Sequence, residues 1–160
     1  MDKYIAYVGT YTHGSSLGIH IFDMDIKTGR MKERKVVPIN NPSDVVVSSN
    51  GKYLYSIADE GVEAFEILED GDLRTINRAS IEGMRGCHLS TDSKDKFLFI
   101  SGYHDGKVTV MELLENGAVG RILDGIFHKG LGSVAERNFR PHISCATLTP
   151  CEKYLCVVDL

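Results

Sequence analysis

Two phrases recur along the chain, and their period restricts its fold more than any other feature. The first phrase is an alternating run that opens with glycine and reaches a polar turn with a second glycine. Its copies are "GIHIFDMDIKTGRM" (18–31), "GVEAFEILEDGDL" (61–73) and "GKVTVMELLENGAV" (106–119). Their opening glycines, Gly18, Gly61 and Gly106, are 43 and 45 residues apart. A repeat of this length indicates one supersecondary unit that packs against copies of itself.

A second phrase lies between the copies of the first. It has a polar turn, a lysine, an aromatic residue, a leucine and then an apolar run: "SSNGKYLYSIA" (48–58), "STDSKDKFLFISGY" (90–103) and "TLTPCEKYLCVVDL" (147–160). Its aromatic residues, Tyr53, Phe97 and Tyr154, are 44 and 57 residues apart. The longer step contains an insertion, "HKGLGSVAERNFR" (128–140), and "KYIAYVGTY" (3–11) is a weaker copy of the same phrase.

Each repeat holds about four strands. In the middle repeat we predict them at 43–49, 52–58, 62–68 and 73–80, because these runs are short, alternating or β-branched and separated by Gly, Asp and Asn turns. No segment has sustained helical periodicity, so the chain is predicted to be all-β. Four strands in a period in the low forties are typical of a β-propeller blade. The alternative is a β-sandwich whose hairpins resemble one another by chance.

The chain has 160 residues, which gives about three and a half four-stranded blades. Propellers close with four to eight blades, and an open arc exposes sheet faces and edges. We therefore expect residues 1–160 to form a single but incomplete propeller domain, the N-terminal part of a longer ring. A second chain that completes the ring is the alternative.

The composition excludes several classes of function. The net charge of −4 and the absence of a basic stripe argue against nucleic acid as a partner. The one cationic cluster, "KERK" (32–35), is predicted to be a solvated turn. No apolar run is long enough to cross a membrane, and no leader is visible, so we expect a cytoplasmic protein.

The four cysteines form no C-x-x-C pair and show no zinc-ligand spacing, so neither metal nor cofactor is predicted. We expect reduced thiols; a disulfide between Cys145 and Cys156 on neighbouring strands is the alternative.

Four phrases together carry a family resemblance. They are "YVGTYT" (7–12), "NPSDVVVSSNGKYLYSIADEG" (41–61), "GCHLSTDSKDKFLFISGYHDGKVTV" (86–110) and "ERNFRPHISCATLTPCEKYLCVVDL" (136–160). In order and spacing they resemble the seven-bladed β-propeller lactonase family, whose best-known members are 6-phosphogluconolactonases. The resemblance implies a ring of seven blades, formed by a chain about twice as long as this one. It also implies hydrolysis of a sugar lactone to its aldonic acid by metal-independent attack of water.

The resemblance also implies roles for individual residues. His142 and Glu60 match catalytic positions. The implied role of His142 is that of general base or oxyanion partner, and that of Glu60 is to orient water or a base. The residues implied to bind substrate are Arg137, His88, Tyr103, His104 and Asp159. Four positions depart from the family pattern: Ser144 replaces a histidine, Asp59 and Gly102 replace asparagines, and Cys151 replaces a turn aspartate. The changes at Ser144 and Gly102 remove polar groups from the expected mouth of the channel and put strict 6-phosphogluconolactonase activity in question.

Two other functions fit the same fold. One is a non-catalytic propeller that binds sugars or serves as a scaffold, since propellers carry many functions. The other is a muconate-type cyclase related by fold.

Overall fold

The computed structural model describes residues 4–132 and 139–160, and within them every regular element is a β-strand. The strands are β1 (Tyr4–Val8), β2 (Gly18–Asp25), β3 (Arg30–Pro38), β4 (Val45–Val47), β5 (Tyr53–Ala58), β6 (Gly61–Ile67), β7 (Leu73–Ala79), β8 (His88–Thr91), β9 (Phe97–Gly102), β10 (Lys107–Leu113), β11 (Val119–Phe127), β12 (Ile143–Leu148) and β13 (Leu155–Asp159). These described ranges hold no helix that could span a membrane.

The strands form four antiparallel meanders, which we number as blades. Blade 1 is β1-β2-β3, blade 2 is β4-β5-β6-β7, blade 3 is β8-β9-β10-β11 and blade 4 is β12-β13. The four strands predicted for the middle repeat match blade 2, with bounds that differ by at most two residues. The all-β propeller architecture predicted from the repeat is therefore confirmed.

The prediction for the cationic cluster 32–35 is wrong. These residues lie inside β3, the outer strand of blade 1, where Glu33 pairs with Phe22 and Lys35 with Ile21. The strand is largely exposed, and charged side chains suit an outer strand because they discourage pairing with other chains.

The cysteines are free thiols, so the alternative disulfide is not formed. In blade 4, Cys145 pairs with Val158 and Cys156 pairs with Thr147, so the two cysteines do not face each other across the hairpin.

The hydrophobic core lies between the blades. Blade 2 has two buried faces because its side chains alternate: Leu54 and Phe65 pack with blade 1, whereas Tyr55 and Ala64 pack with blade 3. A smaller cluster of Val108, Ile143 and Ala146 joins blade 3 to blade 4. Each sheet is therefore held mainly by apolar contact with its neighbours.

Polar contacts between the turns that join the first two strands of blades 2, 3 and 4 also connect these neighbouring blades. The carboxylate of Asp95 accepts hydrogen bonds from the backbone N–H groups of Ser49 (2.6 Å) and Asn50 (2.9 Å) in the preceding blade. One blade later, Glu152 accepts from the N–H (2.6 Å) and hydroxyl (2.7 Å) of Ser93. We call these two contacts the turn latches.

The latching residues have an unusual backbone conformation. Asp95 and Glu152 have φ of 52° and 53°, and Gly51 has φ of 71° at the corresponding turn of blade 2. A non-glycine residue in this left-handed region is strained, so the latch contacts offset a local penalty.

A half-buried carboxylate joins blades 2 and 3 where their inner strands begin. Asp44 Oδ2 accepts a hydrogen bond from the N–H of Leu89 at 2.7 Å. Burial raises the pKa of Asp44 above its ordinary value, although the Leu89 N–H and the neighbouring His88 act in the opposite direction.

The latch predicts a difference between two substitutions at one position. Asp95→Ala removes both hydrogen bonds and leaves a Cβ in the left-handed region, so we expect it to lower the free energy of unfolding by about 2 kcal/mol. Asp95→Gly removes the same bonds but tolerates this φ, and its loss should be smaller by about 1 kcal/mol. Denaturant unfolding of both variants, with Lys94→Ala as the exposed neighbouring control, measures the difference. Equal stability of all three variants would contradict the latch.

Asp44 predicts a pH-dependent change in stability. Because its pKa is raised on folding, its contribution to stability is complete below the ordinary carboxyl pKa and is lost as the pH rises through the raised value. Asp44→Asn keeps an acceptor for Leu89 without the charge. We expect this variant to gain stability over the parent protein as the pH rises from about 3.5 to about 7, measured by urea unfolding. A stability difference that does not change with pH would refute this account.

Candidate functional site

The candidate site begins with the histidine that precedes the inner strand of blade 4. His142 is 6% exposed, and its Nδ1 lies 2.8 Å from the backbone carbonyl oxygen of Tyr103. Because a carbonyl oxygen only accepts, Nδ1 carries the proton and Nε2 is the basic nitrogen of the neutral ring. The His142 ring stacks on the Tyr103 ring with centroids 4.4 Å apart, which fixes its orientation.

A carboxylate at the end of β13 holds the backbone of this histidine. Asp159 Oδ1 accepts a hydrogen bond from the N–H of His142 at 2.8 Å, and Oδ2 lies 2.7 Å from Nδ1 of His128. Partial burial opposes ionisation of Asp159, but the hydrogen bonds from His142 and His128 outweigh it and lower its pKa. Asp159 is therefore a charged anchor between two histidines, and sequence reasoning missed His128.

The structure brings three of the predicted site residues together with His142. These are Tyr103, Asp159 and His104, whose ring meets the Tyr103 ring edge-on at 5.5 Å and is exposed. They lie where strands of blades 3 and 4 end, and Gly106 in the β9–β10 turn packs directly against Pro141. The mouth between these two blades is consequently built of side chains from both.

His88 lies deeper, on the inner strand of blade 3. Its Nε2 is 3.7 Å from Sγ of Cys145, and its Nδ1 is buried without a hydrogen-bond partner among the described residues. Burial raises the pKa of the neighbouring Cys87 thiol, which donates to the carbonyl oxygen of Ile143 at 3.3 Å. His88 thus lines the gap between the inner strands of blades 3 and 4, and within the described residues it makes no contact with His142.

Glu60 is not part of the His142 cluster. It is exposed and lines a separate cavity of about 290 Å³ between blades 1 and 2, together with Asn40, Asp59 and Arg78. Its neighbour Asp59 makes the contacts to other loops, since it accepts a hydrogen bond from Asn41 at 2.8 Å and lies 3.5 Å from Arg85.

The glycine that departs from the family pattern has a local explanation. A Cβ at Gly102 would collide with Oδ1 of Asp105, so the side chain of Asp105 occupies the space that a larger residue at 102 needs. Asp105 Oδ2 accepts from the N–H of Met84 at 3.0 Å. The Asp105 carboxylate therefore supplies a polar group beside Gly102, from three residues later in the chain. No sequence signal in the repeat indicated this.

Arg137 lies outside the described residues. Arg85, which sequence reasoning missed, is a cation in the described part of this end of the propeller, on the connection between β7 and β8. Its guanidinium lies over the ring of Tyr11, 4.9 Å from the centroid. In the sequence Arg85 stands alone between a strand end and the "CH" phrase, so no motif indicated it.

Comparison with known families gives a match over nearly the whole chain. Residues 5–160 match the model of the lactonase family described as a seven-bladed β-propeller. The chain spans about half the length of the curated relatives it matches.

Individual relatives and structures agree with the family match. The chain is 37% identical to a 6-phosphogluconolactonase of Bacillus subtilis (strain 168), covering 100% of the chain and 47% of that protein. It is 32% identical to a 6-phosphogluconolactonase of Formosa agariphila, with 96% and 46% covered. The crystal structure of a candidate 6-phosphogluconolactonase from Bacteroides fragilis superposes with a TM-score of 0.91 at 33% identity, over 98% of this chain and 45% of that one. The chain belongs to the seven-bladed β-propeller lactonase family.

Proposed function

We propose that the protein is a lactone hydrolase that opens a sugar lactone to its aldonic acid, with 6-phosphogluconolactone as the first candidate substrate. The observation that carries the proposal is the fixed tautomer of His142, whose Nε2 is left basic and has no hydrogen-bond partner among the described residues. The names of the relatives from B. subtilis and F. agariphila support the choice of substrate.

The proposed chemistry needs one base and one water. Nε2 of His142 removes a proton from water as the oxygen attacks the lactone carbonyl carbon. The carbonyl oxygen becomes an oxyanion, and the intermediate collapses by breaking the bond between that carbon and the ring oxygen. The ring oxygen takes the proton from His142 and leaves as a hydroxyl group, so the imidazole returns to its neutral form. No metal ion is required for these steps.

The neighbours of His142 position it in this scheme. The carbonyl of Tyr103 keeps the proton on Nδ1, and the Tyr103 ring holds the imidazole plane. Asp159 fixes the backbone at His142 through one oxygen and contacts His128 through the other. Tyr103 and the exposed His104 supply donors for the oxygens of the sugar, and we keep Arg137 and His88 as proposed substrate contacts.

We also propose that the four described blades are part of a ring of seven. The support is the family description and the half-length coverage of the relatives. In such a ring, blades 2 to 4 supply one side of the mouth, and the remaining blades supply groups that face His142 across it. We also keep Glu60, which lines the cavity between blades 1 and 2, as a proposed catalytic residue that orients water or a base.

The function is tested with the full-length protein and a coupled assay of 6-phosphogluconolactone hydrolysis. We expect activity in the parent protein and a fall in kcat of about 10²- to 10⁴-fold in His142→Gln, because the general base is lost. His20→Gln is the matched control: His20 is also a hydrogen-bonded histidine, but it contacts Ser16 and Glu33 in blade 1. Its activity should stay within about 3-fold of the parent.

Three results would reject parts of the proposal. Full activity of His142→Gln would remove His142 from the reaction while leaving lactone hydrolysis in place. Absence of hydrolysis on any sugar lactone, with sugar binding retained, would establish the non-catalytic binding module. Turnover of carboxymuconate without lactone hydrolysis would establish the cyclase.

A further inference from the structure

Arg85 combines a low exposure with unused hydrogen-bonding capacity. Its side chain is only 21% exposed, and its nearest carboxylate oxygen, Oδ1 of Asp59, is 3.5 Å from Nη1. Across the described ranges the guanidinium has no hydrogen bond; its second contact is the face of the Tyr11 ring. A guanidinium has five donors, and those of Arg85 keep access to solvent and therefore to a ligand.

The Asp59 carboxylate does not satisfy this arginine. The same Oδ1 that approaches Arg85 accepts a hydrogen bond from the Asn41 side chain at 2.8 Å. Asn41 is itself 5% exposed and is tied to the N–H and hydroxyl of Thr12, so Asp59 is held where it is. A fixed carboxylate at 3.5 Å attracts the guanidinium without the close bidentate geometry that carboxylates and phosphates form with arginine.

The repeat places Arg85 beside the candidate base. The steps of 44 and 57 residues between repeat phrases map Asn41 onto Arg85 and Arg85 onto His142. In blade 4 the register shift between Ile143 and Cys145 displaces this correspondence by about one residue. Arg85 and His142 therefore precede the inner strands of adjacent blades, at the same end of the propeller.

A hydrogen bond and a ring contact connect the surroundings of the two residues through the β9–β10 turn. The N–H of Met84, next to Arg85, donates to Asp105 in the β9–β10 turn. Tyr103 in that turn stacks on His142. The β9–β10 turn thus contacts both His142 and the residue next to Arg85.

We infer that Arg85 is the phosphate-binding residue of the site, and that it selects a lactone with a terminal phosphate over the same lactone without one. This inference rests on the proposed function. The fork of a guanidinium matches a phosphate bidentately, and the Tyr11 ring covers one face of the group. The carboxylates of Asp59, Asp105 and Asp159 repel a phosphate from the neighbouring loops. The cations Lys129 and Arg140 line a cavity beside Asp159 and Leu160 in blade 4.

Kinetics on a pair of substrates test the inference. In the full-length protein, Arg85→Gln should lower kcat/KM for 6-phosphoglucono-δ-lactone by about 10- to 100-fold, mostly through KM, because a charge-assisted hydrogen bond is lost. Hydrolysis of glucono-δ-lactone should change by less than about 3-fold. Arg85→Lys, which keeps the charge without the fork, should fall between the two.

Arg121→Gln is the matched control. Arg121 is also an ion-paired arginine, 3.6 Å from Glu112, but it is 78% exposed on β11, the outer strand of blade 3. This variant should treat both lactones as the parent protein does. An equal loss on both lactones in Arg85→Gln would overturn the inference, because it would give Arg85 only a role in holding the loops together.

A binding measurement separates this inference from the proposed function. If the parent protein hydrolyses neither lactone, the proposed function fails, but calorimetry with 6-phosphogluconate and gluconate still tests Arg85. Selective binding of 6-phosphogluconate that weakens by about 10-fold or more in Arg85→Gln supports the phosphate site. Binding that is equal for the two acids, unaffected by the substitution, or absent overturns it.

Discussion

The structure depends on burying both faces of each sheet between neighbouring blades. A single four-stranded meander has two apolar faces when its side chains alternate as they do in β5 and β6, and such a sheet is unstable alone in water. Blade 2 solves this problem by packing Leu54 and Phe65 on one side and Tyr55 and Ala64 on the other. The fixed spacing that results sets the first residue of every inner strand at one end of the propeller. Variable loops can then carry chemistry without disturbing the core.

Most of the fold was predictable because two interleaved repeat phrases indicate the same blades. Each phrase supports the other, and the turns with Gly, Asp and Asn separate runs that are too short for helices. The failure at residues 32–35 has a physical cause. An outer strand with one solvated face can be rich in charge and still pair along its whole length, as β3 does with β2. Local composition then resembles that of a turn, and only the cross-strand register distinguishes them.

Only part of the site was predictable. Residues at strand ends were found from the sequence, whereas residues on the connections between strands were missed. His142, Tyr103 and Asp159 lie at strand ends, where the repeat fixes height and direction, and the structure brings them into contact. His128, Arg85 and Asp105 lie on connections whose paths depend on tertiary packing, so no pattern marked them. Glu60 shows the sensitivity of such reasoning, because its neighbour Asp59 makes the contacts to the other loops. The Gly102–Asp105 pair shows that a lost side chain can be replaced from another position, which residue-by-residue comparison does not detect.

The turn latches make each blade depend on the blade that follows it in the sequence. Each latching carboxylate belongs to the later blade and binds backbone donors of the earlier one. During synthesis from the N-terminus, a blade therefore has its strands before it has the group that fixes its turn. The newest blade at the ribosome stays loosely closed until the next hairpin emerges, so folding is expected to advance one blade behind translation. If synthesis pauses between two blades, one apolar face of the newest blade stays uncovered. We expect chaperones to bind this face.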